Sequence, residues 1–305
     1  MKYAKLVTMI HDNIKTQQIS HLSTLADRYS VFVLPVFGTL HNGKQLSEKA
    51  FTCLRNLSAA GKNVAIFSNV PKRRHVLIQD LANIGIPPSL YQHVITSGEE
   101  VFHALKERQD PFHSALGKKC YVIGSSESLK LLEGLDLNRV TFIDEADFVL
   151  ALGPNEWHSA LDHYKPILKQ ACDLNLPLVC ASPDLYVKYQ GARSIRAGAL
   201  AQYYETLGGE VAYHGKPHKA FYNSLLKDLN PFQKSDILIL GDSFMIDIKG
   251  AIKMNIDSLL CMSDTTAVEL EMPSETFKNS SLETLQEKIH ALGVAPTYIM
   301  KELSW

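Results

Sequence analysis

Two carboxylates five residues apart, Asp242 and Asp247, directly follow the apolar run Ile237-Leu238-Ile239-Leu240 and Gly241. Hard oxygen donors on a turn after a buried strand suit Mg²⁺, which keeps several waters and takes only one or two protein carboxylates plus substrate oxygens. A second group lies in His214-Gly215-Lys216-Pro217-His218, where a lysine follows a strand-like run and Pro217 is placed to start a helix. A cation at a strand end beside a helix N-terminus holds an anion. Ser68-Asn69 follows the run Val64-Ala65-Ile66-Phe67, and a hydroxyl there can donate to a phosphate oxygen. The fourth segment is the loop Pro35-Val36-Phe37-Gly38-Thr39-Leu40-His41-Asn42-Gly43, entered from Val31-Phe32-Val33-Leu34. Taken singly, each has a plainer reading: Ser68-Asn69 as a helix cap, Lys216 as a solvated charge, Asp242 as a turn residue. Four strand-end signals in this order point to one phosphate-processing site.

The elements that must position these residues alternate between apolar runs and helical patterns. Val64–Phe67, Tyr121-Val122-Ile123, Phe148-Val149-Leu150, Leu178-Val179-Cys180 and Ile237–Leu240 read as buried strands. Leu46, Ala50, Leu54 and Leu57 recur at helical spacing, and Gly61 stops that helix. Such alternation predicts an α/β fold with parallel sheets covered by helices, which bind ligands beyond the carboxyl ends of their strands. Arg108-Gln109-Asp110-Pro111-Phe112-His113 reads as a linker, and a second boundary falls near Gly208-Gly209. The middle third is then an inserted domain: residues 1–111 and 208–305 form a core, and 112–207 an insertion.

Composition narrows the class. The chain has 305 residues, 46% apolar and 21% charged, with a net charge of −1. This suits two globular domains and excludes a basic nucleic-acid surface. No apolar run approaches the roughly 20 residues that cross a bilayer, and Met1–Leu6 is not followed by the apolar stretch of a signal peptide. The five cysteines include no Cys-x-x-Cys pair, which predicts reduced thiols, a cytoplasmic location and no zinc site.

Together these segments resemble the haloacid dehalogenase (HAD) superfamily, class IIA, the NagD-like phosphatases. Ser68 matches the second motif, Lys216 in Gly-Lys-Pro-His the third, and Asp242 with Asp247 in Gly-Asp-Ser-x-x-x-Asp-Ile-x-Gly-Ala the fourth. Thr96-Ser97-Gly98-Glu99, Ser182-Pro183-Asp184, Ala197-Gly198-Ala199-Leu200 and Gly-Thr-Leu-His-Asn-Gly extend the likeness over nearly the whole chain. The resemblance implies a Rossmann-like core with an α/β cap between the second and third motifs. It implies a Mg²⁺-dependent phosphatase in which a first-motif aspartate attacks phosphorus and water hydrolyses the aspartyl-phosphate. Ser68, Asn69 and Lys216 would hold the phosphoryl oxygens. Asp242, Asp247 and the Phe37 carbonyl would hold the metal. Asp184 would meet a small phosphorylated substrate from the cap, with Tyr186 and Trp157-His158 as further candidate contacts, although Trp157 reads first as a packing residue; the cap also offers a surface for a homodimer.

Three departures set the expectation. Pro35 stands at the nucleophile, Phe37 at the acid/base position, and Ile246 where a threonine usually precedes Asp247. Proline has no nucleophilic oxygen, no carboxylate for the metal and no backbone N–H, so covalent transfer at residue 35 is closed and Mg²⁺ binding is weakened. The expected protein is therefore an ancestral phosphatase with impaired catalysis. The alternatives are an active phosphatase with a non-standard attack and a non-catalytic ligand-binding or protein-interaction module.

Overall fold

Strand–helix alternation produces two parallel sheets. The computed structural model describes residues 16–41, 45–157, 159–189 and 192–305; the readings placed on Met1–Leu6, Asn42-Gly43 and His158 lie outside them. The strands are β1 (Gln17–Gln18), β2 (Val31–Leu34), β3 (Asn63–Ser68), β4 (His93–Thr96), β5 (Lys119–Ile123), β6 (Asn138–Val140) and β7 (Phe148–Ala151). They continue with β8 (Leu178–Cys180), β9 (Tyr186–Tyr189), β10 (Ala192–Ile195), β11 (Val211–Tyr213), β12 (Ile237–Gly241), β13 (Asp257–Cys261) and β14 (Tyr298–Met300). The helices are α1 (Glu48–Ala59), α2 (Arg74–Asn83), α3 (Ser97–Glu107), α4 (Pro111–Ala115), α5 (Leu161–Asp173) and α6 (Ala197–Thr206). They end with α7 (Lys219–Asp228), α8 (Lys249–Met254), α9 (Asp264–Glu269), α10 (Ser274–Asn279) and α11 (Leu282–Leu292). No helix among the described residues is long and apolar enough to cross a membrane.

Packing divides the chain into two units: Met1–Phe67, Ile84–His93 and Leu226–Trp305, and Ser68–Asn83 with Val94–Leu225. The first unit carries the strand order β1-β14-β13-β12-β2-β3. Its central strands are apolar on both faces, as a parallel sheet covered by helices requires: every residue of β2 and β12 is buried. Strand β2 leads to β3 on one side while β12 leads to β13 on the other, so the strand order reverses between β2 and β12. That switch point is where open α/β sheets bind ligands.

The second unit is built on the sheet β11-β8-β7-β5-β6 and the antiparallel hairpin β9–β10. Alternate residues of β7 serve opposite faces, as the pleat dictates. Val149 and Ala151 join a core with Leu168, Leu200 and Tyr204, whereas Phe148 and Leu150 join one with Val101, Phe102 and Leu105 of α3. Helix α3 thus packs on this sheet, which places it in the second unit.

Three local readings change. Leu46 lies before α1: Ser47 is the N-cap, accepting from the Ala50 N–H at 3.3 Å, and Ala50, Cys53, Leu54 and Leu57 form the buried face. Arg108–His113 is a helix junction instead of a linker. Arg108 closes α3 in the left-handed conformation (φ 49°), and Asp110 caps α4 with Pro111 in its first turn. Pro217 does not start a helix; the Lys216–Pro217 peptide is cis and α7 opens at Lys219.

Phe32 is fully buried in the middle of β2. Phe32→Ala should lower the unfolding free energy by about 3–5 kcal/mol in chemical denaturation.

Candidate functional site

In the first unit, β2 and β12 pair in parallel with Ile237 opposite Val31, Leu238 opposite Phe32 and Ile239 opposite Val33. Carrying that register two residues on sets Pro35 beside Gly241, on strands about 4.8 Å apart. Pro35, itself buried, and Asp242 are therefore delivered to neighbouring strand ends. The loop after Pro35 turns back on the carboxylate. Gly38 has φ 82°, and a Cβ there would overlap the Asp242 side chain, so only glycine allows this approach. The Phe37 side chain is half-exposed and meets His41 edge-on, with ring centroids 5.9 Å apart.

Asp247 shapes the turn after β12. Its Oδ2 accepts the N–H groups of Asp242 at 3.1 Å and Ser243 at 3.3 Å. Phe244–Ile248 forms a π-helical turn, with the Ile248 N–H donating to the Ser243 carbonyl at 3.1 Å. Such turns recur at functional sites. Sequence reasoning missed the residues that anchor this turn. The Ser263 hydroxyl donates to Asp242 Oδ2 at 2.7 Å, and the Thr266 hydroxyl donates to the Asp242 carbonyl at 2.7 Å. Glu269 accepts from the Ser243 hydroxyl at 2.5 Å and the Phe244 N–H at 2.6 Å. Ser263-Asp264-Thr265-Thr266 after an apolar run carries a capping signal, but nothing local marks Glu269. Burial raises the Glu269 carboxyl above its ordinary range, against the pull of those donors.

These residues suit a magnesium ion that keeps most of its waters. The donors are hard oxygens, and Gly38 is pressed against the Asp242 carboxylate. Among the described residues no cluster of three or more His, Cys, Asp or Glu side chains offers a richer site. Cys261 is no substitute nucleophile: burial first, then the Asp242 charge, drives its thiol far above the usual range and keeps it protonated.

The second unit gathers the remaining candidates. Ser68 ends β3, buried, with its Oγ accepting from the Val70 N–H at 3.3 Å. Asn69 clamps the Lys216 peptide from both sides: Oδ1 accepts the Lys216 N–H at 2.7 Å, and Nδ2 donates to the Lys216 carbonyl at 3.1 Å. The same Nδ2 donates to Asp184 Oδ1 at 2.7 Å. The Asn69 amide is thus engaged in positioning, and Lys216 is held at 4% exposure. A Cβ at Gly215 (φ 123°) would crowd Asn69 and Pro183, which explains the glycine before the lysine.

Two histidines and two carboxylates brace this segment. His113 Nε2 lies 3.0 Å from His214 Nε2, and His113 Nδ1 lies 2.6 Å from Asp110. Glu100 lies 3.6 Å from His214 Nδ1 and accepts the Gly215 N–H at 3.0 Å. His218 instead stacks on Tyr213 at 4.8 Å. Burial, then the neighbouring His214, lowers the His113 pKa, with Asp110 pulling the other way.

Asn69→Ala removes three hydrogen bonds and should cost about 1–3 kcal/mol in thermal or chemical unfolding, because the Lys216 peptide loses its partners. The lowered His113 pKa gives a signed pH dependence. Its contribution is complete above the ordinary value of 6.5. As pH falls through the lower folded value, the unfolded chain takes the proton first and stability declines. Melting temperature should fall on acidification below about pH 6.5, and His113→Gln should flatten the curve.

Comparison with known proteins agrees with this architecture. A haloacid dehalogenase-like hydrolase model matches residues 32–138, and a HAD-hydrolase-like model matches residues 213–303. A haloacid dehalogenase-like hydrolase from Brucella suis superposes with a TM-score of 0.79 at 26% identity, over 93% of this chain and 99% of that one. A possible sugar phosphatase from Cytophaga hutchinsonii gives a TM-score of 0.73 at 19% identity, over 94% and 98% of the two chains. A glycerol phosphate phosphatase from Mycobacterium tuberculosis, solved in complex with calcium, gives 0.63 at 18% identity, over 91% and 74%. The pyrimidine 5'-nucleotidase PynA of Streptococcus pneumoniae is 31% identical over 98 residues, which span 30% of this chain and 41% of that protein. The chain belongs to the haloacid dehalogenase-like hydrolases.

Proposed function

We propose that this protein binds a small phosphorylated molecule through Ser68 and Lys216 and that its covalent phosphatase chemistry is closed at Pro35. The observation that carries the reading is the position of Pro35, buried at the end of β2 and beside Gly241 in register. In the phosphatases this chain resembles, a carboxylate there would attack phosphorus; the proline side chain has no nucleophilic atom to offer. The relatives support the ligand class, since their names include a sugar phosphatase, a glycerol phosphate phosphatase and a nucleotidase. Residues 112–207 form the inserted cap in this reading, and Asp184 meets the ligand from it.

The residues divide the work. The Lys216 ammonium supplies positive charge to the phosphoryl oxygens, and the Ser68 hydroxyl donates to one of them. Asn69 fixes the Lys216 backbone. Asp242 and the Phe37 carbonyl would hold Mg²⁺, with Asp247 in support, and the bound ion would neutralise developing phosphoryl charge. With one carboxylate fewer than an aspartate-bearing site, that cation is held less tightly.

The test is hydrolysis of p-nitrophenyl phosphate in millimolar Mg²⁺. Native protein should stay near background, and Pro35→Asp should raise turnover by about 10²-fold or more, since a nucleophile acting as part of a unit is worth several orders of magnitude. Robust turnover by the native protein that Asp242→Ala abolishes would overturn the reading. Lys216→Ala should remove binding of inorganic phosphate in calorimetry.

A further inference from the structure

We infer that Arg196, braced by Trp157, is a second anion-recognising position beside the phosphate-holding residues, so that the ligand is a phosphate monoester carrying a further anionic group, a carboxylate or a second phosphate. This inference rests on the phosphate-binding reading and deepens it.

Arg196 stands between β10 and α6, with its backbone N–H donating to the Leu185 carbonyl at 2.9 Å. Its guanidinium carbon lies 5.2 Å from the centre of the Trp157 ring, whose side chain is half-exposed. Stacking of this kind holds the planar fork in one orientation and leaves its donor edge free for a bidentate partner. Among the described residues the guanidinium makes no hydrogen bond and no ion pair. Yet the side chain is only partly exposed. Five N–H donors with reduced access to water and no acceptor among the described residues are costly to leave unmatched. Burial first pulls its pKa below the ordinary value, opposed by the Asp184 charge.

The position of Arg196 ties it to the phosphate group's binders. Asp184 Oδ1 is held by Asn69, and Asn69 clamps Lys216. The Asp184 carbonyl accepts the Gly198 N–H at 3.1 Å, and the Leu185 carbonyl accepts from Arg196 itself. A Cβ at Gly198 would overlap the Pro183 and Asp184 backbone, so the start of α6 is pressed directly on this segment. The Pro183–Leu185 strip is therefore held by Asn69 through the Asp184 carboxylate and by the Arg196 N–H through the Leu185 carbonyl, and the Asp184 charge also acts on the Arg196 guanidinium. A short ester that leaves its phosphoryl group with Lys216 would carry its far end past that strip. An arginine fork there selects planar, doubly accepting anions over neutral tails.

Calorimetry on the full chain in millimolar Mg²⁺ tests this with inorganic phosphate, 2-hydroxyethyl phosphate, 2-phosphoglycolate and ethylene glycol bisphosphate. Native protein should bind one of the doubly anionic esters about 10- to 100-fold more tightly than the hydroxyethyl ester, the range of a charge-assisted hydrogen bond. Preference for phosphoglycolate identifies a carboxylate, and preference for the bisphosphate a second phosphate. Arg196→Gln should erase the preference and leave hydroxyethyl phosphate affinity unchanged, and Arg196→Lys should restore part of it. Equal affinity for all three esters, with binding still dependent on Lys216, overturns this inference and leaves the phosphate reading standing. Equal weakening of all three by Arg196→Gln shows that the residue only packs against Trp157, and also overturns it. If no phosphate compound binds, both readings fall.

Discussion

The parallel register of β2 against β12 is the constraint on which the first unit depends. Both strands are apolar and buried along their whole length, so alternation of polar and apolar residues does not fix their alignment. The flanking partners fix it instead. Strand β3 pairs with β2 through Val33 and Ala65, and β13 pairs with β12 through Leu240 and Leu259. A slip of one residue would send every side chain to the opposite face and break both outer pairings. The register sets residue 35 and Asp242 at adjacent strand ends, where the strand order reverses. On the proposed reading, chemistry at that point would be decided by the residue type at 35, because the backbone has already placed it.

The turn after β12 shows that a catalytic-looking string also has structural work. Asp247 satisfies the Asp242 and Ser243 N–H groups, and Glu269 satisfies Phe244 and the Ser243 hydroxyl. Loss of either carboxylate would strand buried donors, whether or not a metal ever binds. The same holds for Gly38 and Gly241, where a Cβ would overlap Asp242 and Asp247 respectively. Much of the Gly-Asp-Ser-x-x-x-Asp pattern is therefore demanded by this turn itself. Asn69 differs in kind, because it holds the Lys216 peptide through main-chain atoms and would do so for any residue in that place.

The sequence made the strands legible because buried parallel strands are short unbroken apolar runs. Val64–Phe67, Phe148–Leu150 and Ile237–Leu240 all lie inside observed strands. It was less clear at junctions. Asp110-Pro111 has the composition of a linker and equally that of a capped helix start, and the burial of His113 against His214, 101 residues away, decides between them. Leu46 matched the helical spacing of α1 but precedes its Ser47 cap. The long-range partners left no local trace. Glu269 reaches Ser243 across 26 residues, and Arg196 meets the ring of Trp157, far from it in sequence. Motif residues were readable one by one, while the groups that orient them were not.

On the proposed reading, a proline in place of a carboxylate would change the electrostatics of the first unit as well as its reactivity. An aspartate at residue 35 would add a negative charge beside Asp242, and Coulomb repulsion between a carboxylate and an incoming phosphate dianion is strong where water is excluded. A phosphatase tolerates that repulsion because the cation offsets it and because the same carboxylate makes the bond. Without the bond-making role, the charge would only weaken ligand binding. Pro35 would, on that reading, remove the repulsion together with the nucleophile, while the Lys216 backbone and the Ser68 hydroxyl are held by contacts that do not involve residue 35. On the proposed reading, a site altered in this way would lose turnover and retain affinity, the combination expected of a protein that recognises a phosphorylated molecule without consuming it.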